Sequence, residues 1–473
     1  MKIRFIEPGN RPYRPSPLNA FVYERYIRTP SNGIITLATI AHGRYEDVLC
    51  YSESISRLNW QDITSSDVVC ISIFSFAANR GYQIADAVRA ESDAVVVFGG
   101  LHATLVPEEA LAHADYVLMG EGDETIVPLL EAIEADGSVE GLSGVMYRKD
   151  GVAHLTSAPQ PPHEIDVIPD RYLMHDFKRM ASRNTIWPQV HASRGCPHHC
   201  DYCGLVAAFG RGVRCRPPES VVDDIRQAIA FFDEGHHRIA KMLWITDDNF
   251  FANRSWALAV LQEMIDSGIR YNFTIQARYE VGFDDEMLEL LRKAGFSELA
   301  MGIEFLDDES FSAYNKKSTR SEIIEAIANI KRHGLRVRGL FIVGADNHKP
   351  GIGRELADFV IEQGIDGVLI QSMYFIPGTP VYETHKHELI ESSNWARCTG
   401  AVVHRPKQMS AASLQEEIIA ASKRIYSVPR LLNGLVKKRG MERILLVGEF
   451  FWHMSIRHDL RRELPFLRKA DPR

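Results

Sequence analysis

The chain has 473 residues, too many for one ordinary hydrophobic core, so we expect two or three domains. Hydrophobic residues make up 45% and charged residues 25%, as in a soluble globular protein, and a net charge of −8 argues against nucleic acid as a partner. The sequence contains neither an apolar run long enough to span a membrane nor a secretory signal pattern, which predicts a cytoplasmic protein.

The first 140 residues alternate short apolar runs with helical patterns. The apolar runs span residues 34–41, 68–74, 94–100 and 116–125, and the helical patterns span residues 82–91, 107–114 and 125–137. This alternation predicts an α/β domain with a doubly wound, Rossmann-like parallel sheet over residues 1–140. Glycines follow two strand ends, at Gly99–Gly100 and at Gly120 and Gly122, where open α/β sheets bind ligands.

Residues 141–187 form a predicted linker. A turn-rich hairpin pattern at 146–155 is followed by prolines at positions 159, 161, 162 and 169, which favour an extended, non-helical backbone. We therefore expect a domain boundary in this segment.

Residues 188–390 show a regular alternation of strands and amphipathic helices. The predicted strands are 189–195, 241–250, 271–278, 298–305, 336–344 and 367–378. Six such units predict three-quarters of a TIM-like barrel, a partial (β/α)6 barrel, with its chemistry at the C-terminal strand ends. Residues 391–473 form a predicted helical C-terminal region.

Three of the seven cysteines fall within eight residues, directly after the first barrel strand. Thiolates at the spacing of Cys196, Cys200 and Cys203 can hold three irons of a cubane cluster and leave the fourth open. A structural zinc site is the alternative, with His198 or His199 as fourth ligand, although both histidines lie awkwardly inside the loop. A thiol redox site leaves the third cysteine without a role, and we interpret the nearby Cys215 as a small buried hydrophobe.

The CX3CX2C spacing, with Tyr202 before the last cysteine, resembles the signature of the radical S-adenosylmethionine (SAM) superfamily. The resemblance implies a [4Fe–4S] cluster on Cys196, Cys200 and Cys203, which binds SAM at its open iron and cleaves it to a 5′-deoxyadenosyl radical. It also assigns SAM contacts to Tyr202, Asp248, Asn249, Gln276, Arg278, Glu304 and Ile342. The alternative for a single polar residue at a strand end is the capping of the next helix.

The N-terminal pattern combined with such a barrel resembles the cobalamin (B12)-binding branch of this superfamily. The resemblance implies cobalamin contacts at Ser72, Ser75, Gly99, Gly100, His102, Gly120, Glu121 and Gly122. The first 140 residues lack an Asp-x-His-x-x-Gly motif, so no histidine of this segment is predicted to ligate cobalt from below. A Rossmann-like scaffold without a ligand is the alternative.

The resemblance implies an enzyme that methylates an unactivated carbon with cobalamin. The alternatives are a radical rearrangement, cyclisation or ring contraction without methyl transfer, and a non-catalytic iron–sulfur or zinc-binding protein. The expected partners are a small-molecule or lipid-like substrate and an electron donor such as flavodoxin or ferredoxin. The C-terminal segment 444–456, bordered by basic residues, predicts an amphipathic helix that contacts a membrane peripherally, covers an apolar substrate or packs on the barrel.

Overall fold

The computed structural model describes residues 1–9, 17, 30–179, 186–234, 241–391, 394–398, 400–438 and 440–473. Its N-terminal elements are β1 (Lys2–Glu7), α1 (Asn32–His42), β2 (Asp47–Ser52), α2 (Trp60–Thr64), β3 (Val68–Ser72), α3 (Ala78–Glu91), β4 (Val95–Gly99), α4 (Gly100–Leu105), α5 (Pro107–Leu111), β5 (Tyr116–Leu118), α6 (Ile126–Glu134), β6 (Val145–Lys149) and β7 (Val152–Leu155).

These strands form one sheet in the order β2-β1-β3-β4-β5-β6-β7, with apolar cores on both faces. The first five strands are parallel, as a doubly wound sheet requires, and the last two form an antiparallel hairpin at the edge. The hairpin over residues 145–155 therefore extends the N-terminal sheet beyond residue 140, into the segment predicted as a linker.

The apolar run at residues 34–41 is a helix, not a strand. Its buried residues Ile34, Ile35, Ala38 and Ala41 recur at helical spacing and face the core, and the strand that precedes it is Lys2–Glu7. A short, nearly continuous apolar run does not distinguish a buried strand from a buried helix.

The second part of the chain forms the barrel. Its elements are β8 (Gln189–Val190), β9 (Ser193–Arg194), α7 (Gly204–Phe209), β10 (Arg214–Cys215), α8 (Pro218–Asp233), β11 (Met242–Ile245), α9 (Arg254–Asp266), β12 (Asn272–Ala277), α10 (Asp285–Ala294), β13 (Phe296–Glu304), α11 (Asp308–Ala313), α12 (Arg320–Arg332), β14 (Arg336–Val343), α13 (Ile352–Glu362), β15 (Gly367–Ser372) and α14 (Pro380–His385). Six strands form a parallel sheet in the order β15-β14-β13-β12-β11-β8, so each of the six predicted strand positions is confirmed.

Side-chain caps define where several barrel helices begin. Asp284 caps α10, Asp307 caps α11, and Thr319 forms a capping box with Glu322 at the start of α12. These helices cover the outer face of the sheet, so the strand ends remain available for polar loops.

The C-terminal region is helical, as predicted, and comprises α15 (Ala411–Ile425), α16 (Val428–Lys437) and α17 (Met441–Ala470). Helix α15 packs closely on α13, because a Cβ at Gly353 would lie 2.2 Å from the backbone oxygen of Glu417. Within the described residues, every helix is too short or too polar to cross a bilayer.

Candidate active site

The three clustered cysteines lie on the loop that joins β9 to α7. Cys196, Cys200 and Cys203 are all partly exposed and form no disulfide. The loop is held by backbone hydrogen bonds: Cys203 N–H donates to Cys200 O at 3.0 Å, and Asp201 N–H donates to Tyr314 O at 3.1 Å. The segment that follows the fourth barrel strand, β13, therefore contacts the cysteine loop at the C-terminal edge of the sheet.

The separation of the thiols distinguishes between kinds of metal site. Among the described residues, the group of three ligands whose donor atoms all lie within 4.8 Å of one another is Asp346, His385 and Glu388, and not the three cysteines. Thiolates on one tetrahedral zinc ion lie about 3.8 Å apart, as bonds of about 2.3 Å require. A cluster places each thiolate on a different iron, which needs wider spacing. At least one pair of the three sulfurs is therefore more than 4.8 Å apart, which is wider than a single tetrahedral ion requires and in the direction that a cluster requires.

The set formed by Asp346, His385 and Glu388 is a poorer candidate for a metal site than the cysteines. Lys407 Nζ lies 2.5 Å from Asp346 Oδ2, and His385 Nε2 lies 3.3 Å from the same oxygen. The ammonium group already occupies the carboxylate that would have to bind a cation.

Two polar side chains point at the cysteine sulfurs. Asn249 Nδ2 lies 3.7 Å from Cys196 Sγ, and Arg278 Nη1 lies 3.9 Å from Cys200 Sγ. N–H groups near the sulfurs stabilise thiolates and tune the potential of a cluster. Burial raises the pKa of the Cys203 thiol to about 11, so ligation to a metal would release its proton.

Two aspartates at the end of β11 fix the turn that precedes the first cysteine. Asp247 accepts hydrogen bonds from Ala192 N–H at 2.7 Å and from Ser193 Oγ–H at 2.5 Å. Asp248 accepts one from Gly195 N–H at 2.9 Å, and burial raises its pKa. Asp248 was predicted to contact SAM, and the structure shows that one of its oxygens already holds the cysteine loop.

The raised pKa of Asp247 predicts that the free energy of unfolding depends on pH. Burial raises its pKa from 3.8 to about 7. The folded protein therefore keeps a proton that the unfolded chain releases near pH 4, so the free energy of unfolding falls as the pH rises from about 4 to 7, by about 1 kcal/mol per pH unit. Asp247→Asn is expected to remove this part of the slope in urea unfolding curves measured across that range. If the free energy of unfolding changed equally with pH in the wild type and in Asp247→Asn, the raised pKa would not belong to Asp247.

A family comparison identifies this part of the chain. Residues 190–360, which contain the cysteine loop and the strand ends described above, match the model of the Radical SAM superfamily. The chain carries a radical SAM domain. The domain begins at β8 and includes the Asp247–Asp248 and Gln276–Arg278 strand ends.

Relatives and solved structures extend the likeness beyond the radical SAM domain. Bacteriochlorophyllide d C-12(1)-methyltransferase of Chlorobaculum tepidum is 24% identical over 417 residues, covering 87% of this chain and 86% of the relative. The anaerobic magnesium-protoporphyrin IX monomethyl ester cyclase of Cereibacter sphaeroides is 27% identical over 379 residues, covering 76% of this chain and 60% of the relative. The radical SAM methyltransferase TsrM from Kitasatospora setae, solved with cobalamin and a [4Fe–4S] cluster bound, aligns with a TM-score of 0.68 at 15% identity over 99% of each chain. This likeness confirms the predicted combination of an N-terminal α/β domain, a partial barrel and a helical C-terminus.

Glu304 and Lys316 form a buried polar pair in the radical SAM domain. Glu304, at the end of β13, has a φ of 70°, a left-handed conformation that is uncommon for glutamate. Lys316 Nζ donates to Gly302 O at 2.6 Å and lies 3.6 Å from Glu304 Oε1. Burial lowers the pKa of Lys316. Sequence reasoning missed Lys316, whose only signal was its position in a lysine pair shortly after the fourth strand.

Gln276 and Ile342 lie on the same face of the barrel sheet. Gln276 is in register with Ala300, which is in register with Arg338, and Ile342 follows Arg338 by four residues on the same strand. Side chains alternate along a strand and register partners share a face. Phe341, the neighbour of Ile342, packs on Phe359 of α13 on the helix-covered face, so the two predicted SAM contacts both lie on the opposite, inner face of the sheet.

The predicted cobalamin contacts at the ends of β3 and β4 are brought together. Ser72 and Gly99 are register partners on neighbouring strands. Gly100 has a φ of 89°, and a Cβ there would lie 2.8 Å from Ser72 Oγ. A side chain would thus collide with the protein's own strand end, which explains the glycine independently of any ligand.

His102 and Ser75 interact with each other inside the N-terminal domain. His102 Nδ1 lies 3.0 Å from Ser75 Oγ, and its Nε2 lies 3.1 Å from Tyr82 OH. The ring is fully buried and packs edge-on against Trp395, at 4.8 Å between centroids. Both ring nitrogens are engaged, so a contact between His102 and a bound ligand would require these hydrogen bonds to break.

The turn that contains Gly120, Glu121 and Gly122 faces the radical SAM domain. Arg194 Nη1 lies 2.7 Å from Glu121 Oε2 and 2.8 Å from Asp123 Oδ2, and Arg214 pairs with the other oxygen of Glu121. Arg194 is two residues before the first cysteine of the cluster loop. The sequence predicted Glu121 as a cobalamin contact, and the structure adds an ionic clamp that ties the N-terminal domain to this loop.

Glu121→Gln is expected to loosen the clamp. It would leave Arg194 and Arg214 with less negative charge in a largely buried environment, and we expect a loss of about 2–3 kcal/mol of stability. Urea unfolding measures it, with Glu140→Gln as the control, because Glu140 forms ion pairs with Lys149 in an exposed part of the same domain. Equal, small effects of both substitutions would show that the clamp contributes little.

Proposed function

We propose that the protein is a radical SAM enzyme that methylates an unactivated carbon with the help of cobalamin. Cys196, Cys200 and Cys203 hold a [4Fe–4S] cluster, and SAM binds beside it at the mouth of the barrel. The observation that carries the proposal is the convergence of Asn249 and Arg278 on two of the three thiols. The barrel brings the ends of neighbouring strands to the cysteine loop, and N–H donors placed beside thiolates are what a bound cluster needs.

The side chains of the barrel mouth have defined tasks in this proposal. When bound, the cluster supplies the electron that cleaves SAM to methionine and a 5′-deoxyadenosyl radical. Arg278 offers a guanidinium to the SAM carboxylate. Glu304 offers its carboxylate to the ribose or amino group, and Ile342 offers an apolar surface to the adenine. The enclosed inner face of the barrel limits the access of water to a radical.

Cobalamin is proposed to bind along the edge formed by Ser72, Gly99 and Gly100. This edge lies next to the radical SAM domain, because a Cβ at Gly378 would approach Leu105 of α4 to 3.3 Å and Ala207 of α7 to 3.6 Å. Helix α7 directly follows Cys203. The two cofactor regions are thus adjacent, as methyl transfer to a radical requires. The first 140 residues contain no Asp-x-His-x-x-Gly motif that would supply a histidine ligand for cobalt.

The proposal also includes the partners expected from the sequence. The substrate is a small molecule or a lipid-like compound, electrons come from a donor such as flavodoxin or ferredoxin, and nucleic acid is not a partner. We also propose a cytoplasmic location, with peripheral contact between the C-terminal helix and a membrane.

Anaerobic reconstitution with iron, sulfide and hydroxocobalamin tests both cofactors. We expect about four irons per chain, as one [4Fe–4S] cluster requires, one corrin per chain, and release of 5′-deoxyadenosine from SAM under a strong reductant. Protein that binds zinc in preference to iron and leaves SAM intact would instead be a non-catalytic metal-binding protein.

A second candidate function is a radical cyclisation or rearrangement without methyl transfer, favoured by the likeness to the monomethyl ester cyclase. The two functions differ in the products of SAM. Methylation yields S-adenosylhomocysteine together with 5′-deoxyadenosine, whereas cyclisation yields no S-adenosylhomocysteine.

A further inference from the structure

Helix α16 presents an apolar row that the rest of the described chain does not cover. Five of the nine large hydrophobic side chains that are exposed in the described part of the chain lie between residues 428 and 451. Val428, Leu432 and Val436 are 57%, 59% and 80% exposed, and they follow one another at a spacing of four residues. This spacing places all three on one face of the helix.

The opposite side of α16 rests on α17. Gly434 permits the close approach, because a Cβ there would lie 2.5 Å from Leu446 Cδ2. Ile444 and Phe451 of α17 are also about half exposed, two helical turns apart. These two packed helices carry Val428, Leu432, Val436, Ile444 and Phe451, and we call the exposed apolar surface of the pair, defined by these five residues, the α16–α17 face.

The charge around this face is the reverse of the charge of the whole chain. Residues 423–443 contain seven basic residues and a single acidic one, Glu442, in a protein of net charge −8. One of the seven, Arg439, lies outside the described residues. Two others have acidic partners, since Arg424 pairs with Asp358 and Lys438 lies 3.6 Å from Asp366. An apolar row within a basic segment is typical of helices that lie in the headgroup region of anionic membranes.

The α16–α17 face lies away from the cysteine loop. Glu449 of α17 pairs with Arg338 at 2.7 Å, and His453 Nε2 lies 3.1 Å from Val368 O. Arg338 and Val368 belong to the first halves of β14 and β15, whereas the cysteines lie at the opposite, C-terminal edge of the sheet. The face is therefore unsuited to cover a substrate at the barrel mouth.

We infer that the α16–α17 face docks on an anionic lipid surface, with the apolar row inserted among the acyl chains and the basic side chains at the headgroups. The inference specifies the membrane contact included in the proposed function, and it does not depend on the reaction. Docked in this way, the protein would keep the mouth of its barrel away from the bilayer.

Co-sedimentation of the full-length protein with vesicles tests the inference. We expect binding to vesicles of equal parts phosphatidylglycerol and phosphatidylcholine that is at least about tenfold stronger than to phosphatidylcholine alone, and that weakens at about 0.5 M salt. Leu432→Asp together with Val436→Asp should reduce this binding about tenfold or more. Val152→Asp, at a site that is 68% exposed in the N-terminal hairpin, is the matched control and should bind like the wild type.

Three outcomes would overturn the inference: a wild-type protein that stays in the supernatant with anionic vesicles, equal binding by the double variant, or a dimer in sedimentation velocity that the double variant dissociates. The last outcome would assign the face to a second copy of the chain. Unchanged thermal midpoints confirm that the variants fold, and Lys437→Glu provides a second variant whose binding should fall without any change to the apolar row. SAM cleavage by a variant that no longer binds vesicles would separate this inference from the proposed reaction.

Discussion

Alanine at Cys196, Cys200 or Cys203 is expected to remove the iron–sulfur cluster and abolish the cleavage of SAM. Each thiol would bind a different iron, and a cubane with two protein ligands has lost a third of its anchorage. After anaerobic reconstitution, we expect iron to fall from about four per chain to background. Release of 5′-deoxyadenosine, measured by chromatography, should fall below detection. The far-ultraviolet circular dichroism should remain that of the wild type, because the three side chains are partly exposed.

Cys215→Ala is the matched control for these substitutions. Cys215 pairs through its backbone with Ser193, close to the cysteine loop, and burial raises the pKa of its thiol to about 11. It should retain iron and activity. The assignment of the cluster would be wrong if Cys215→Ala lost as much iron as Cys196→Ala, or if all three clustered cysteines tolerated alanine.

The barrel was predictable because its strands and its helices each carry their own sequence signal. The strands are apolar runs buried on the helix-covered face, and several of the helices between them begin at capping residues such as Asp284 and Thr319. Residues 34–41 form an apolar run that is not preceded by a side-chain cap, and packing of its buried residues against the core determines that it is helical. The hairpin at 145–155 was expected, but its pairing with β5 depends on contacts that a local pattern does not contain.

The candidate site was predictable where its residues follow strand ends. The cysteines share one loop, and Asn249 and Arg278 end neighbouring strands, so the topology of the barrel was sufficient to bring them together. The partners of Glu121 were not predictable, because Arg194 and Arg214 belong to another domain and the docking of the two domains sets the contact. Lys316 was missed for a similar reason, since its burial under β13 depends on how the following loop folds back.

Gly195→Ala is expected to displace the cluster loop even though it changes none of the cysteines. Gly195 has a φ of 94°, and a Cβ at this position would lie 2.0 Å from Gly212 O, so the backbone of one of the two segments must move. The N–H of Gly195 also donates to Asp248, and that hydrogen bond fixes the entry to Cys196. We expect a loss of about 2–5 kcal/mol in the free energy of unfolding, from the strained conformation and the clash together. Iron retained after reconstitution should fall several-fold.

Gly210→Ala separates the clash from the backbone conformation. Gly210 has a φ of 75° and a ψ of −162°, a backbone conformation that is essentially restricted to glycine, but no atom lies within 4 Å of the position its Cβ would take. Alanine there should cost about 1–3 kcal/mol, the penalty for an L-residue held in this conformation, and leave the iron content unchanged. The difference between the two variants measures the contact of Gly195 with the Gly212 backbone. If both lost the same stability and the same iron, the close packing at Gly195 would not be what positions Cys196, and the loop would owe its shape to the hydrogen bonds of Asp201 and Asp248 alone.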